Sequence, residues 1–475
     1  MRLRELLEGI EVVSLTIPPD MEITQVCADS RAVQKGSLFV AVNGTRCDGE
    51  RYVTQAMAAG AAGVVCEGES SVPCVRVRDA RSALSRLACS WYGHPAKKLT
   101  VLGVTGTNGK TTVTHLLRHI LRRTGLKTGL IGTVENLVEE QAFPAQRTTP
   151  DALQLQRLLA QMAEAGCTHA VMEVSSHALV QHRVDGIGFA VGIFTNLTED
   201  HLDYHGTMDS YCDAKARLFR MSRAAVCNAD DPWTERLLAG TSCRTVLYGL
   251  HAPCDLWAED IVLRDRSAAF TACSAQERAA VRLRVPGLFS VYNTLAAMAA
   301  CGALGIPLKT CAEALADFGG VKGRMEVVPT PEKPYTVLID YAHTPDALEN
   351  VLKTVRGFAK GRLIAVFGCG GDREKEKRPL MGRIAAELAD VAVVTSDNPR
   401  SEEPMAIIQD ILTGMAPTGK RSIIEPDRRA AIALAMKQAG AGDVIILCGK
   451  GHETYQEIGG RMLPMDEREI VQALL

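Results

Sequence analysis

Residues 103–112 read GVTGTNGKTT, preceded by the apolar run KLTVL (98–102) and followed by VTHLLRHILRRTG (113–125). The order of strand, glycine-rich turn and amphipathic helix opening on Lys-Thr-Thr decides the fold class, because it predicts a phosphate cradle at the edge of a parallel α/β sheet. The strict P-loop pattern requires glycine five positions before Gly109, where this chain has Val104. Gly103, Gly106 and Gly109 nevertheless recur at three-residue spacing. Glycines let backbone N–H groups face an anion, and a helix N-terminus adds about half a positive charge. Gly106, Thr107, Asn108, Gly109, Lys110, Thr111 and Thr112 are therefore the expected ATP-binding turn, with Lys110 on the β- and γ-phosphates and the Thr111 hydroxyl on Mg²⁺.

The rest of the chain gives that loop room to belong to a large enzyme. At 475 residues it exceeds the size at which one core keeps growing, so two to four domains are expected. Apolar residues make up 47% and charged residues 23%, which disfavours disorder. A formal net charge of −2 leaves no global basic field to hold nucleic acid or an anionic membrane surface. The cysteines number 15, an odd count, with no Cys-x-x-Cys, and read as reduced, mostly buried thiols of a cytoplasmic protein. The N-terminal MRLRELLEGIEVVSL lacks a signal-peptide core, and no apolar run approaches the roughly 18 residues of a membrane helix.

Pattern along the chain divides it into three α/β units. Residues 1–97 carry short strand-like runs (SLFVAV, AAGVVCE, VPCVRV) and Ala-rich helical pieces. Residues 98–328 alternate strands (AVMEVS, VGIFTN, AAVCNAD) with helices (DALQLQRLLAQMAEAG, SYCDAKARLFRMS), predicting a central P-loop ATPase-like parallel sheet. A proline cluster, VVPTPEKP, reads as a stiff linker. Residues 329–475 then repeat strand and helix (YTVLIDYA, GRLIAVFGCGG, DVAVVTSD, RSIIEPD, DVIILCGKG), predicting a C-terminal Rossmann-like domain.

Acidic and imidazole groups follow two central strands. Glu173 ends HAVME, and Asp200, His201, Asp203 and His205 follow IFTN, at the strand ends where α/β sheets keep ligands. Taken without further context, the same residues also serve as caps and turn formers.

Together, GVTGTNGKTT, MEVSSHAL, TNLTEDHLDYHG, YCDAKARLF, LFSVYNTLAAMAA, GRMEVV, DYAHTPDALENVL, FGCGGDREKEKRPLMG, SDNPRSEEP and CGKGHETYQ closely resemble the Mur ligases of peptidoglycan synthesis, in that family's order across all three units. The resemblance implies an ADP-forming ligase that activates a nucleotide-linked peptide carboxylate as an acyl phosphate and passes it to an amine. It implies ATP and Mg²⁺, with Thr111, Glu173, His201 and a carbamylated Lys215 as the metal region. Lys110, Glu173, His201, Lys215 and Arg324 become the implied catalytic set, and Asn293, Arg324 and Asp340 the nucleotide-side positions, with His343 beside them. For UDP-N-acetylmuramoyl-L-alanyl-D-glutamate it implies Ala28, Ser30, Thr45, Arg46 and Cys47 in the first unit and Arg147, Thr148, Thr149, Ser175, Gln181 and Arg183 in the second. Arg147 departs from the asparagine common in the family.

Within the family, the DNPR motif marks enzymes adding meso-diaminopimelate rather than L-lysine. The chemistry agrees: diaminopimelate is lysine with an extra carboxylate, which a planar guanidinium at Arg400 suits. Arg373, Asp397, Asn398, Pro399, Arg400, Gly449 and Glu453 form the implied amino-acid site, Glu453 taking an ammonium. The expected protein is a cytoplasmic monomer. Three alternatives remain at this point: a lysine-adding Mur ligase, a folylpolyglutamate-type ligase, and a non-catalytic ATP-dependent switch or binding protein, which would need no cation pocket in the third unit.

Overall fold

The computed structural model describes residues 1–44, 48–251, 253–420 and 422–475. Three main sheets account for the three units. The first has five strands: Gln25–Cys27, Ser37–Val40, Gly63–Cys66 and Cys74–Val77 pair in parallel, and Val12–Leu15 closes one edge antiparallel. Its β-branched and apolar strands are buried against the helix Ala80–Trp91, whose N-terminus Asp79 caps by accepting from the backbone N–H groups of Arg81 and Ser82.

The second sheet has 11 strands. Its middle is parallel and holds Thr100–Thr105 between His169–Glu173 and Phe189–Phe194. Antiparallel wings extend both ends: Asn136–Val138 with Gln141–Phe143 on one side, and Leu256–Arg264, Ser267–Ser274 and Arg278–Leu283 on the other. The wing Leu256–Leu283 largely alternates more and less buried residues, as one-sided antiparallel strands do, whereas the middle strands are buried along nearly their whole length. The predicted parallel sheet is thus the centre of a mixed one.

The third sheet orders Glu326–Val328, Thr336–Asp340, Val444–Cys448, Leu363–Phe367, Val391–Val394 and Ser422–Ile424, parallel except for the first pair. The proline cluster is not a linker between units. Glu326–Val328 pairs antiparallel with Thr336–Asp340, so Pro329, Pro331 and Pro334 occupy the connection within a hairpin of the third sheet. An apolar dipeptide before prolines reads equally well as strand or linker, and only the partner strand decides. Arg266, at the tip of a central wing, donates to the Tyr335 carbonyl and the Thr336 hydroxyl, tying the two units there.

The core is continuous across this junction. One buried cluster joins Leu102, Val113 and Leu117 to the Ala-rich helix Leu288–Ala303 and on to Leu348, Leu352 and Phe367 of the third unit. The described cysteines are free, most of them buried. Among the described residues no helix is long and apolar enough to cross a membrane.

Candidate active site

The glycine-rich turn joins the strand Thr100–Thr105 to the helix Lys110–Arg123, and the structure explains its irregularity. Val104 lies inside the strand Thr100–Thr105, fully buried in the main core, where glycine would leave a void. Gly103 lies in the same strand, where a side chain would collide with Phe189 and Leu218. Gly106 has φ of 149° and packs so closely on Thr195 that no Cβ fits, and Gly109 caps the helix Lys110–Arg123 with φ of 87°. Lys110 Nζ donates back to the Gly106 and Thr107 carbonyls at 2.8 and 2.7 Å.

Thr107, Asn108, Gly109, Lys110, Thr111 and Thr112 line a cleft of about 630 Å³, together with Glu173, His201, Asn293, Arg324, Asp340 and His343. One concavity therefore holds nearly all the expected nucleotide and catalytic residues, contributed by the second and third units. Gly106 and Lys215 lie beneath it. Lys215, on the helix Met208–Arg220, is 1% exposed; its Nζ donates to the same Gly106 carbonyl at 2.9 Å and lies 4.3 Å from the Tyr211 ring centroid. Burial, and then the neighbouring Lys110 cation, push its ammonium well below the ordinary lysine range. Burial also lowers Lys110, opposed by Glu173 and Asp200.

Glu173 is buried, and Thr133 fixes its carboxylate: the backbone N–H donates to Oε1 and the hydroxyl to Oε2, both at 2.9 Å. His201 sits at φ of 54° with its Nε2 3.4 Å from Asp200 Oδ2. Among the described residues no three His, Cys, Asp or Glu side chains gather to hold a metal ion. A donor set of one buried carboxylate and a helix-mouth hydroxyl fits Mg²⁺, which relies on one or two carboxylates plus substrate phosphates rather than an all-protein cage.

Arg324 stacks its guanidinium over Tyr341, 4.9 Å from the ring centroid, and its buried Nε has no hydrogen-bond partner. Asp340 lines the cleft, yet its oxygens accept from the backbone N–H groups of Met325 and Ala342 at 2.7 and 2.9 Å. Burial raises its carboxyl and the Arg324 cation opposes that rise, and the two backbone donors tie Asp340 to the turn beside Arg324.

The second-unit residues expected to face the sugar-nucleotide peptide form one connected chain. The Thr133 hydroxyl, whose proton goes to Glu173, accepts from the Thr148 hydroxyl at 3.0 Å; the Thr149 hydroxyl donates to the Glu173 carbonyl and accepts from the Ser175 N–H; Arg183 donates to the Thr149 carbonyl and to Gln181 Oε1. Arg147 is exposed, and its charge adds to burial in disfavouring the Arg183 cation. In the first unit Ser30 donates to Gln55 Oε1, with Ala28 exposed nearby. Thr45, Arg46 and Cys47 lie outside the described residues.

The expected amino-acid site assembles at the C-terminal ends of three third-sheet strands, where ligands of parallel sheets bind. Gly371 and Arg373 follow Leu363–Phe367, Asp397 to Arg400 follow Val391–Val394, and Gly449 to Glu453 follow Val444–Cys448. Pro399 packs so tightly on Gly371 that no Cβ fits there. Arg400 is not a free fork: Nη1 donates to the Gly371 carbonyl at 2.6 Å and Nε lies 3.2 Å from Glu457 Oε2. Arg373 is exposed at the mouth.

Sequence reasoning missed Thr133, Asn196, Thr198, Asp346 and Lys450. Asn196 Oδ1 accepts from the Asn108 N–H, and Asp346 Oδ2 accepts from both Asn108 Nδ2 and the Thr198 hydroxyl. All but Thr133 stand inside stretches quoted for other residues, so proximity to a motif was the available signal.

Models of the Mur ligase family, catalytic domain (residues 22–92), the Mur ligase middle domain (104–301) and the Mur ligase glutamate ligase domain (323–451) match in this order. The UDP-N-acetylmuramoyl-L-alanyl-D-glutamate–2,6-diaminopimelate ligase of Gloeobacter violaceus is 49% identical, over 99% of this chain and 97% of its own. Its namesake in Geobacillus kaustophilus is 47% identical over 95% and 94%. A solved structure with the same name is 34% identical, with a TM-score of 0.74 over 100% of this chain and 98% of that one. A phosphate loop, a buried lysine hydrogen-bonded to it and a cluster of polar strand-end residues in the third unit thus occur in a chain alike over its whole length to such ligases, and the chain belongs to the Mur ligase family.

Proposed function

We propose that this chain joins meso-diaminopimelate to the D-glutamate of UDP-N-acetylmuramoyl-L-alanyl-D-glutamate, with conversion of ATP to ADP and phosphate, in peptidoglycan precursor synthesis. The observation that carries it is the single cleft that combines the phosphate loop with Glu173, Arg324 and the Thr148 end of the second-unit chain, facing a third unit whose strand ends carry Arg400.

A carboxylate and an amine do not condense in water, so the glutamate γ-carboxylate must become electrophilic. Its oxygen attacks the γ-phosphorus, ADP leaves, and an acyl phosphate forms; the amine then attacks the acyl carbon and phosphate departs. Two anions meet in the first step, so charge must be offset where it develops. Bound Mg²⁺ supplies part of that offset and orients the phosphates. Lys110 and the loop N–H groups hold the transferring phosphate, and Arg324 reaches it from the turn leading into the third unit. Thr111, Glu173, His201 and Lys215 form the metal region. Lys215 supports this as a carbamate: a buried amine held below the usual lysine range is the form that captures CO₂, and the product anion removes its repulsion with Lys110.

Arg400 selects the amine. A carboxylate of diaminopimelate takes the place of the Gly371 carbonyl at Nη1, and Glu457 keeps the guanidinium plane aligned. The division between the second and third units falls before Glu326, and the enzyme works as a cytoplasmic monomer. Phosphate release with the nucleotide substrate, ATP and Mg²⁺ tests the reading. Diaminopimelate is expected to support turnover and L-lysine little; equal rates, or none with diaminopimelate, refute it.

A further inference from the structure

Lys450 is charged and wholly buried, and the mechanism above gives it no role. It follows the strand Val444–Cys448, between Gly449 and Gly451. Its Nζ donates to Asn398 Oδ1 at 2.8 Å and to Glu453 Oε2 at 2.5 Å, and lies 4.9 Å from the Tyr455 ring centroid. Asn398 Nδ2 donates to the same Glu453 oxygen at 2.9 Å, closing a triangle of ammonium, amide and carboxylate. The Glu457 N–H also donates to Asn398 Oδ1, so the amide orientation is fixed from two sides.

Charge around this triangle is unbalanced. Arg400 faces Glu457 and Lys450 faces Glu453, whereas Asp397 Oδ2 is buried with no hydrogen-bond partner among the described residues. Gly449 abuts that oxygen with φ of 111°, and a Cβ there would collide with it. A buried unpaired carboxylate oxygen is unfavourable unless a cation arrives. The Glu453 oxygen Oε1 likewise has no hydrogen-bond partner among the described residues, because Lys450 and Asn398 both take Oε2.

We propose that Lys450 is a positioning residue for the amino-acid pocket: its buried ammonium holds Asn398 and Glu453 in register, leaving Glu453 Oε1 and Asp397 Oδ2 to receive an ammonium group of the incoming diamino acid. This rests on the assignment of the pocket to diaminopimelate. Lys450 acts through its neighbours and does not touch the substrate. Without it, Asn398 Oδ1 loses one of its two donors, the Glu453 carboxylate is free to rotate, and a buried anion loses its counter-charge.

Steady-state kinetics of Lys450→Met, Glu453→Gln and the double variant test the proposal. Lys450→Met is expected to raise KM for diaminopimelate about tenfold or more, with KM for ATP and for the nucleotide substrate within about twofold. If Lys450 works through Glu453, the double variant shows much less than the product of the two single effects. An unchanged KM for diaminopimelate, a parallel rise in all three KM values, or a multiplicative double variant overturns it. Should Lys450→Met fail to fold, Lys450→Gln retains a donor for Asn398 without the charge; its KM for diaminopimelate is expected above that of the unaltered enzyme, and equality overturns the role of the charge. Failure of the unaltered enzyme to use diaminopimelate refutes the pocket assignment itself, before any variant is compared.

Discussion

Two lysine amines, of Lys110 and Lys215, donate to the one carbonyl of Gly106. Lys110 lines the cleft, where the proposed reaction places the phosphates, and Lys215 does not line it. Lys110→Met is therefore expected to lower turnover by about a hundred- to a thousandfold, the usual loss for one preorganised charge donor. Binding of the UDP-linked substrate, followed by calorimetry, should stay within about twofold, and its loss would show that Lys110 supports the fold instead. Arg400→Lys is expected to raise KM for diaminopimelate about tenfold or more while leaving KM for ATP unchanged, because a point charge on a flexible stem replaces a fork aligned by Glu457 and Gly371. Equal shifts in both constants would move Arg400 out of the pocket. Residue type and order made Lys110 and Arg400 legible in the sequence. Thr133 and Lys450 were not legible, because a strand-end threonine and a lysine between glycines acquire meaning only when Glu173 and Glu453 are seen beside them.

At the scale of elements, the strands and helices of all three sheets follow from their apolar periodicity, and the errors lie where one strand's identity depends on another. Glu326–Val328 and the antiparallel wings are such cases, since short alternating runs carry no record of their partners. The contact between the first and second units was equally hidden. There the helix Ala80–Trp91 meets the loop that carries Gln181 and Arg183. The Ser82 hydroxyl donates to Asp185 Oδ2 at 3.0 Å, and His182, at φ of 57°, lies 2.8 Å from that oxygen through Nδ1 and 3.6 Å from Asp79 through Nε2. The hydrogen bond to Asp185 raises the His182 pKa above its ordinary 6.5; burial and Arg217 oppose this, and Asp79 adds to it. A raised folded-state value means the native protein holds the proton more tightly. The stabilisation is complete below about pH 6.5 and is lost as pH climbs through the folded-state value. His182→Gln should therefore lower Tm at pH 6, with the gap to the unaltered protein shrinking towards pH 9; a gap independent of pH would assign His182 to packing alone.

At the scale of the whole molecule, the second and third units meet at the cleft, and on the proposed mechanism the contacts there set whether Arg324 reaches phosphate. Gly323 packs against the backbone of Gly451 and His452, so the turn bearing Arg324 rests on the same loop that carries Lys450 and Glu453. Asp346, on the third-unit helix Pro345–Arg356, accepts from Asn108 Nδ2 at 3.2 Å and from the Thr198 hydroxyl at 3.0 Å, both groups of the second unit. One carboxylate oxygen thereby fastens the third unit to the phosphate loop itself. Hydrogen bonds to a charged group contribute about 1.5–3 kcal/mol each, less where water competes, so their joint loss amounts to about 1–3 kcal/mol, or roughly five- to 150-fold in the ratio of closed to open forms. Asp346→Ala is therefore expected to open the molecule, read as a larger radius of gyration by small-angle scattering without ligands. It should also lower kcat more than it raises KM for diaminopimelate, because the residues proposed for the amino acid all belong to the third unit while the proposed phosphoryl transfer draws on both. An unchanged radius with unchanged kcat would make the Asp346 contacts incidental. A changed kcat at constant radius would confine their effect to Asn108 and the loop.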